Sequence, residues 1–382
     1  MTTNKFAVFD LGTLHGRLGF SDCKLPTHSF RTLVAHSNEE KAKVSKLVPP
    51  KDLFIGTEYL EYAECVDVIK PIYDAKVQSW GDWEHMLDYS FLTLFSSLTD
   101  LDTPLVYVEG PTWDVSMKRK AGEIIFEKYQ LPSLCLVNHA EMSSFASNNF
   151  QIGNSLVVEL GGTCSYCVPV IEGQALVSQA TVMEAGGTTV TQAMIRGIQE
   201  EGVDFGTKDL TRIKEIVIKF KKMEGYICQG VEKEIELNKK VKFEIPNGDG
   251  KYISVGNTRF LAPELLFSPR VKNKQSFSNG MHNLAWDCLK KLKKEIFAKA
   301  SSQIIIAGGL SGYRGVKQRF LQEFNKIAKE SNFSISENEI IVPQNGVTLA
   351  WRGAAKFTHH ELFEKQLVTK EQFDNLGENA FN

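Results

Sequence analysis

Two stretches of this chain share one design. Residues 8–20 read Val-Phe-Asp-Leu-Gly-Thr-Leu-His-Gly-Arg-Leu-Gly-Phe, and residues 157–168 read Val-Val-Glu-Leu-Gly-Gly-Thr-Cys-Ser-Tyr-Cys-Val. Each is an apolar β-type run that meets an acidic residue, then a glycine turn, then a second apolar strand. Glycine lets the backbone turn sharply and brings N–H groups close to an anion. A carboxylate at the end of a strand suits a hydrated divalent cation. Two such hairpins, each opening one half of the chain, suggest a phosphate gripped by two related lobes.

The rest of the chain is compatible with that division. Its 382 residues exceed the length at which a single core stops growing. A net charge of −2 gives no general drive toward nucleic acid or anionic membrane. No apolar run reaches membrane-spanning length, and residues 1–5 lack the charged-then-apolar pattern of a signal peptide. Seven scattered cysteines point to a reducing compartment rather than a disulfide frame. Cys164 and Cys167 form a CxxC, but strand spacing turns their thiols to opposite faces, which favours half-buried strand cysteines over a redox or zinc pair.

Strand and helix patterns alternate along the chain, as in an α/β sheet covered by helices. Residues 6–9, 17–20, 104–109, 133–138 and 302–309 read as strands. Helical spacing begins at Trp80 and runs again from Lys118 to Tyr129. Residues 37–46 are polar and read as a solvated connection. The stretches 241–245 and 251–255 flank Pro-Asn-Gly-Asp-Gly, a hairpin signal. Residues 281–300 place Leu284, Cys288, Leu292 and Ile296 on one stripe of a single helix. The lysines at 290, 291, 293 and 294 then form a solvated face rather than a nucleic-acid patch.

Taken in order, these residues resemble actin and the actin-related proteins over nearly the whole chain. The two hairpins are similar to that family's two phosphate loops. Trp80-Gly-Asp-Trp-Glu, Tyr107-Val-Glu-Gly-Pro, Ile306-Ala-Gly-Gly-Leu-Ser-Gly-Tyr-Arg-Gly, Ala350-Trp-Arg-Gly and Thr369-Lys-Glu-Gln-Phe-Asp-Asn-Leu-Gly fall where the family has similar sequence. The resemblance implies the α/β actin fold, with two RNase H-like lobes and four subdomains around a central nucleotide cleft. Residues 1–144 plus 346–382 would form the first lobe, with 31–69 as its small outer subdomain. Residues 145–345 would form the second, with 186–275 as its outer subdomain.

It also implies ATP or ADP with Mg2+ as ligand. Gly12, Thr13 and Arg17 would serve the phosphates from the first loop, and Gly161, Gly162 and Thr163 from the second. Gly187, Lys221, Gly308 and Gly309 would surround ribose and adenine, and Asp10 would hold the metal through water. The chain departs from the family in ways that matter. Arg17 replaces a lysine, Leu14 a loop glycine and Gly162 an acid. Lys222 stands for a glutamate, and Val347 or Thr348 for a lysine over the base. Of the groups that organise the metal and attacking water, only Asp10 is kept. Glu159 replaces an aspartate, His139 a glutamine and Tyr166 a histidine. Displacement by about 1 Å can cost on the order of a hundredfold in rate, so hydrolysis is expected to be very slow or absent.

Polymerisation is expected to be lost too, because residues 37–51 and 269–276 carry charge where filament-forming relatives carry apolar plugs. The implied role is a scaffold subunit of a larger assembly, as in the family's dynactin-type cytoskeletal machines or chromatin-remodelling complexes. Its partners would be protein subunits, among them actin or other actin-related proteins, with no nucleic acid or membrane. The expected setting is cytoplasm and cytoskeleton, with the nucleus as alternative. A groove near Phe145, Ser147 and Leu349 would receive partner helices. An active ATPase or a filament former is the competing reading.

Overall fold

The computed structural model describes residues 5–99, 101–237, 239–245, 250–269 and 279–381. The chain divides into two compact units, Met1–Gly153 with Glu172–Val177 and Thr348–Asn382, and Asn154–Ile171 with Ser178–Val347. The expected border after residue 144 falls inside the helix His139–Ser147. The helix packs its Met142 and Phe145 into the first unit, which therefore runs on to Gly153.

The first unit is built on a six-stranded sheet in the order Val368–Thr369, Ser133–Asn138, Leu105–Glu109, Ala7–Leu11, His15–Phe20, His28–Arg31. Ala7–Leu11 pairs parallel with Leu105–Glu109 and antiparallel with His15–Phe20. All five residues of Ala7–Leu11 are buried, as a strand covered on both faces requires. Alternation sorts them. Ala7, Phe9 and Leu11 join a core with Tyr107 of the neighbouring strand and with Trp83, Phe91 and Phe126 from the helices Trp80–Phe95 and Val115–Tyr129. Val8 joins Val106, Val137, Phe145 and Trp351 on the other face, under the helices His139–Ser147 and Leu349–Phe357. Ser79, Asp114 and Asn138 cap three of these helices with their side chains.

A three-stranded sheet, Leu53–Ile55, Val34–Ser37 and Val66–Ile69, lies within the expected outer segment 31–69. The solvated connection foreseen at 37–46 is instead largely a helix, Glu39–Ser45. The Asn38 side chain accepts from the Lys41 N–H at one end, and Lys46 closes the other in the left-handed region. Asn38 is a good cap and Glu39 and Glu40 suit the helix N-terminus, so local chemistry outweighed the polar composition.

The second unit repeats the plan. Ser155–Leu160, entirely buried, pairs antiparallel with Ser165–Ile171 and parallel with Ile304–Ala307, which in turn pairs with Ile340–Ile341. The helices Gly187–Glu200, Leu210–Glu224 and Val316–Ala328 bring Met194, Val217, Phe220, Phe320 and Phe324 to the same core. The hairpin Val241–Glu244 with Tyr252–Val255 forms as expected. Positions 246–249 of its turn, and positions 270–276 of the second expected contact loop, lie outside the described residues.

The single helix expected over 281–300 is two, Met281–Lys290 and Lys294–Ser301. Lys293 adopts extended backbone as the cap of the second, and the lysines at 290, 291, 293 and 294 are exposed. All seven cysteines are free, and Cys164 and Cys167 are buried rather than half-buried.

Candidate functional site

In the first unit the site is built by the hairpin Ala7–Leu11 and His15–Phe20. Its turn closes with the Gly12 N–H donating to the His15 carbonyl at 3.1 Å, and Thr13 stands half-exposed at the tip. The register sets Asp10 directly opposite Arg17, and Arg17 Nη1 donates to Asp10 Oδ2 at 3.0 Å. The two side chains are 3% and 12% exposed, so the pair is largely shielded from water. A Cβ on Gly12 would lie 3.8 Å from Arg17 Nη1, which places the guanidinium beside the loop glycine. His139 opens the helix behind this hairpin. Burial holds its imidazole below the ordinary value, against the pull of Asp10 and with help from Arg17.

Beside this hairpin lies a carboxylate pair that sequence reasoning did not select. Glu109 ends its strand buried and takes Lys118 Nζ at 2.9 Å. Glu141, in the first turn of His139–Ser147, accepts the Ala175 N–H at 2.8 Å. Burial pushes Glu141 up to about 7, and the charge of Glu109 adds to the effect. The acid at the end of an apolar strand was the available signal for Glu109. Nothing local marked Glu141.

In the second unit the hairpin Ser155–Leu160 and Ser165–Ile171 repeats the geometry, with Glu159 opposite Tyr166 and both buried. Three glycine-bearing segments converge at its turn. The Gly187 and Thr188 N–H groups donate to the Gly161 and Gly162 carbonyls at 2.9 and 2.8 Å. A Cβ on Gly186 would lie 2.7 Å from the Gly161 carbonyl, and one on Gly161 would lie 2.5 Å from that of Cys164. Gly308, at φ +89°, sits where a Cβ would meet the Leu160 carbonyl at 2.4 Å and Glu159 Oε1 at 2.6 Å. Only glycine permits this approach of backbone to backbone. Thr163 is buried beside the turn. Lys221 reaches in from Leu210–Glu224 and donates to the Gly187 carbonyl and the Thr191 hydroxyl, both at 2.8 Å.

Gly308 and Gly309 also line a cavity of about 440 Å³, with Tyr313, Lys317, Gln344 and Val347 among its walls. The buried Tyr313 hydroxyl has no hydrogen-bond partner among the described residues. Pro343-Gln-Asn-Gly346 carried a turn signal that would have found this wall, whereas Lys317 had none. Thus Gly161, Gly162, Gly187 and Lys221 are brought together, as are Gly308 and Gly309. Asp10, Gly12 and Arg17 are brought together in the first unit.

The glycine cradle and cavity fit a nucleotide. The residues at Asp10 do not fit a divalent cation. The carboxylate expected to orient the metal's water carries a permanently charged guanidinium instead. The expected groove residues also differ from expectation. Phe145 and Leu349 are 4% and 2% exposed, and Phe145 is packed against Phe150, Phe357 and His360. Ser147 is only partly exposed. Their side chains belong to the core rather than to a surface.

Comparison with known proteins agrees with the fold. A family model described as Actin matches residues 1–382. The chain is 25% identical to "Putative actin-29" of Dictyostelium discoideum over 380 residues, covering 98% of this chain and 95% of that protein. It is 24% identical to "Centractin" of Schizosaccharomyces pombe (strain 972 / ATCC 24843) over 377 residues, covering 97% and 95%.

Proposed function

The chain belongs to the actin family, and from that premise we propose that it is a divergent, non-polymerising scaffold subunit of a larger protein assembly. In this reading it holds ATP or ADP as a structural ligand and hydrolyses it very slowly or not at all. The observation that carries the reading is the convergence of Gly161, Gly162, Gly186, Gly187 and Gly308 on one backbone cradle beside the cavity. Glycine at these turns lets distant backbone segments close on one another beside the cavity, the arrangement a phosphate-holding loop uses.

The positions that would activate water are another matter. Glu159 extends a methylene beyond aspartate, Tyr166 stands where a histidine is expected, and His139 replaces a glutamine. Side chains of different length and shape cannot hold a water molecule at the same point. Retained binding with altered catalytic groups supports a platform rather than an ATPase. The centractin relative supports a cytoskeletal assembly, with actin or other actin-related proteins among the partners, and a chromatin-associated complex is the alternative. No helix among the described residues is long and apolar enough to cross a membrane.

Native affinity purification tests the scaffold role, since recovery of the chain alone would count against it. Single-turnover hydrolysis tests the rest. A rate at or above that of conventional actin filaments would refute the platform reading.

One observation favours filament contacts instead. Val44 and Val48, at the end of the helix Glu39–Ser45, are 85% and 84% exposed. Apolar side chains so exposed suit burial against a neighbour. Pelleting of the purified chain with ATP would support that second reading.

A further inference from the structure

We infer that this chain holds its nucleotide without drawing a divalent cation to Asp10, because Arg17 already occupies the charge position that the cation would take. The inference rests on the nucleotide-binding reading above and adds to it the form of the ligand. The nucleotide is accepted as its free polyanion as readily as with magnesium.

The argument begins with register. Asp10 and Arg17 are direct cross-strand partners in a hairpin whose two strands are held by a continuous ladder. Strand pairing thus brings the two side chains face to face, and they meet at 3.0 Å. Both groups are largely shielded, at 3% and 12% exposure, so water does little to weaken the pair. A guanidinium cannot release its proton to make room for a second cation.

Charge follows from this. The carboxylate and the guanidinium cancel, and His139 behind them is held toward its neutral form. The hairpin thus offers a hydrated magnesium ion no net negative charge. The Asp10 oxygen Oδ2 is already committed to Arg17, so the carboxylate that would orient the metal's waters is engaged by a fixed positive charge.

The same geometry favours phosphate. Only Nη1 is committed to Asp10, and the guanidinium has further N–H donors in a rigid fork. That fork lies beside Gly12, where a Cβ would be 3.8 Å from Nη1, so a phosphate at the loop meets backbone and guanidinium together. A lysine would supply one mobile point charge there. Arginine held by Asp10 supplies an oriented donor set. Asp10 in this account is a positioning residue for Arg17.

The test is binding of a fluorescent ADP analogue to the full chain, with excess magnesium and with excess EDTA. The two affinities are expected to agree within about threefold, where a recruited cation would make the difference about tenfold or more. Binding in magnesium that weakens by that larger factor in EDTA would overturn the inference and leave the nucleotide reading standing. No binding under either condition would overturn both. Asp10→Asn supplies a second check on a folded variant. The amide keeps an acceptor for Arg17 Nη1 and removes the charge, so binding is expected to hold in magnesium and in EDTA alike, whereas a tenfold loss confined to magnesium would show Asp10 serving the cation.

Discussion

The Trp351 indole N–H donates to the Val8 carbonyl at 3.0 Å, joining residues 343 positions apart inside one compact unit. The indole is fully buried, and a Cβ at Gly19 would lie 2.8 Å from its ring. The bond fixes a helix near the end of the chain onto the strand that carries Asp10.

Trp351→Phe removes a second donor from a carbonyl that strand pairing with Gly19 also serves, at a cost of about 0.5–1.5 kcal/mol. Trp351→Ala adds a cavity and raises the loss to roughly 3–5 kcal/mol. Denaturant unfolding checks both. Equal midpoints for the wild type and Trp351→Phe would show that the bond contributes nothing.

Gly308→Ala introduces a Cβ against the Leu160 carbonyl at a positive φ, whereas Gly312 has nothing within 4 Å of its Cβ position. The first substitution is expected to destabilise by about 1–3 kcal/mol and to weaken nucleotide binding. The second is expected to stay within about 0.5 kcal/mol of wild type. Paired thermal melts with and without nucleotide distinguish them.

The Arg319 guanidinium grips Glu264 through two contacts, 2.8 and 3.2 Å, and also holds Glu323 at 2.9 Å and the Cys228 carbonyl at 2.8 Å. Arg319→Ala leaves a half-buried carboxylate facing the core and is expected to cost roughly 3–5 kcal/mol. Arg319→Met with Glu264→Leu should recover part of that loss. A double variant worse than the single would contradict this account of the pair.

Glu141 is an acid whose folded value, about 7, lies above its ordinary 4.5. Between those values the folded chain binds more protons than the unfolded one, so this group lowers stability as pH rises from about 4.5 to about 7. Glu141→Gln keeps an acceptor for the Ala175 N–H and removes the titration. The variant is expected to melt higher than wild type above neutral pH and alike near the acid end of the window. Parallel melting curves across it would contradict the assignment.

Much of this architecture was legible before any coordinates. Continuous apolar runs ending in an acid and glycine marked both hairpins, because a strand buried on both faces has no polar positions to spare. The Asp10–Arg17 contact was present in principle too, since the hairpin register places those residues opposite one another. Other features were hidden for physical reasons. The stripe Leu284, Cys288, Leu292, Ile296 continues across the break at Lys293, so periodicity alone does not reveal it. The meeting of Gly186 with Gly161 and of Gly308 with Leu160 depends on crossovers between distant segments, which no local pattern encodes. Phe145 and Leu349 were assigned to a surface by analogy, while the packing of the helices His139–Ser147 and Leu349–Phe357 consigns them to the interior.

Because the first unit is assembled from three separate stretches, its completion must wait during synthesis. Val8 leaves the ribosome early, but the indole that donates to its carbonyl emerges only after the whole second unit has been translated. The nascent amino-terminal sheet thus spends most of elongation with one apolar face covered only by the helix His139–Ser147. That interval, rather than the finished fold, is where apolar surface of this polypeptide is most open to aggregation.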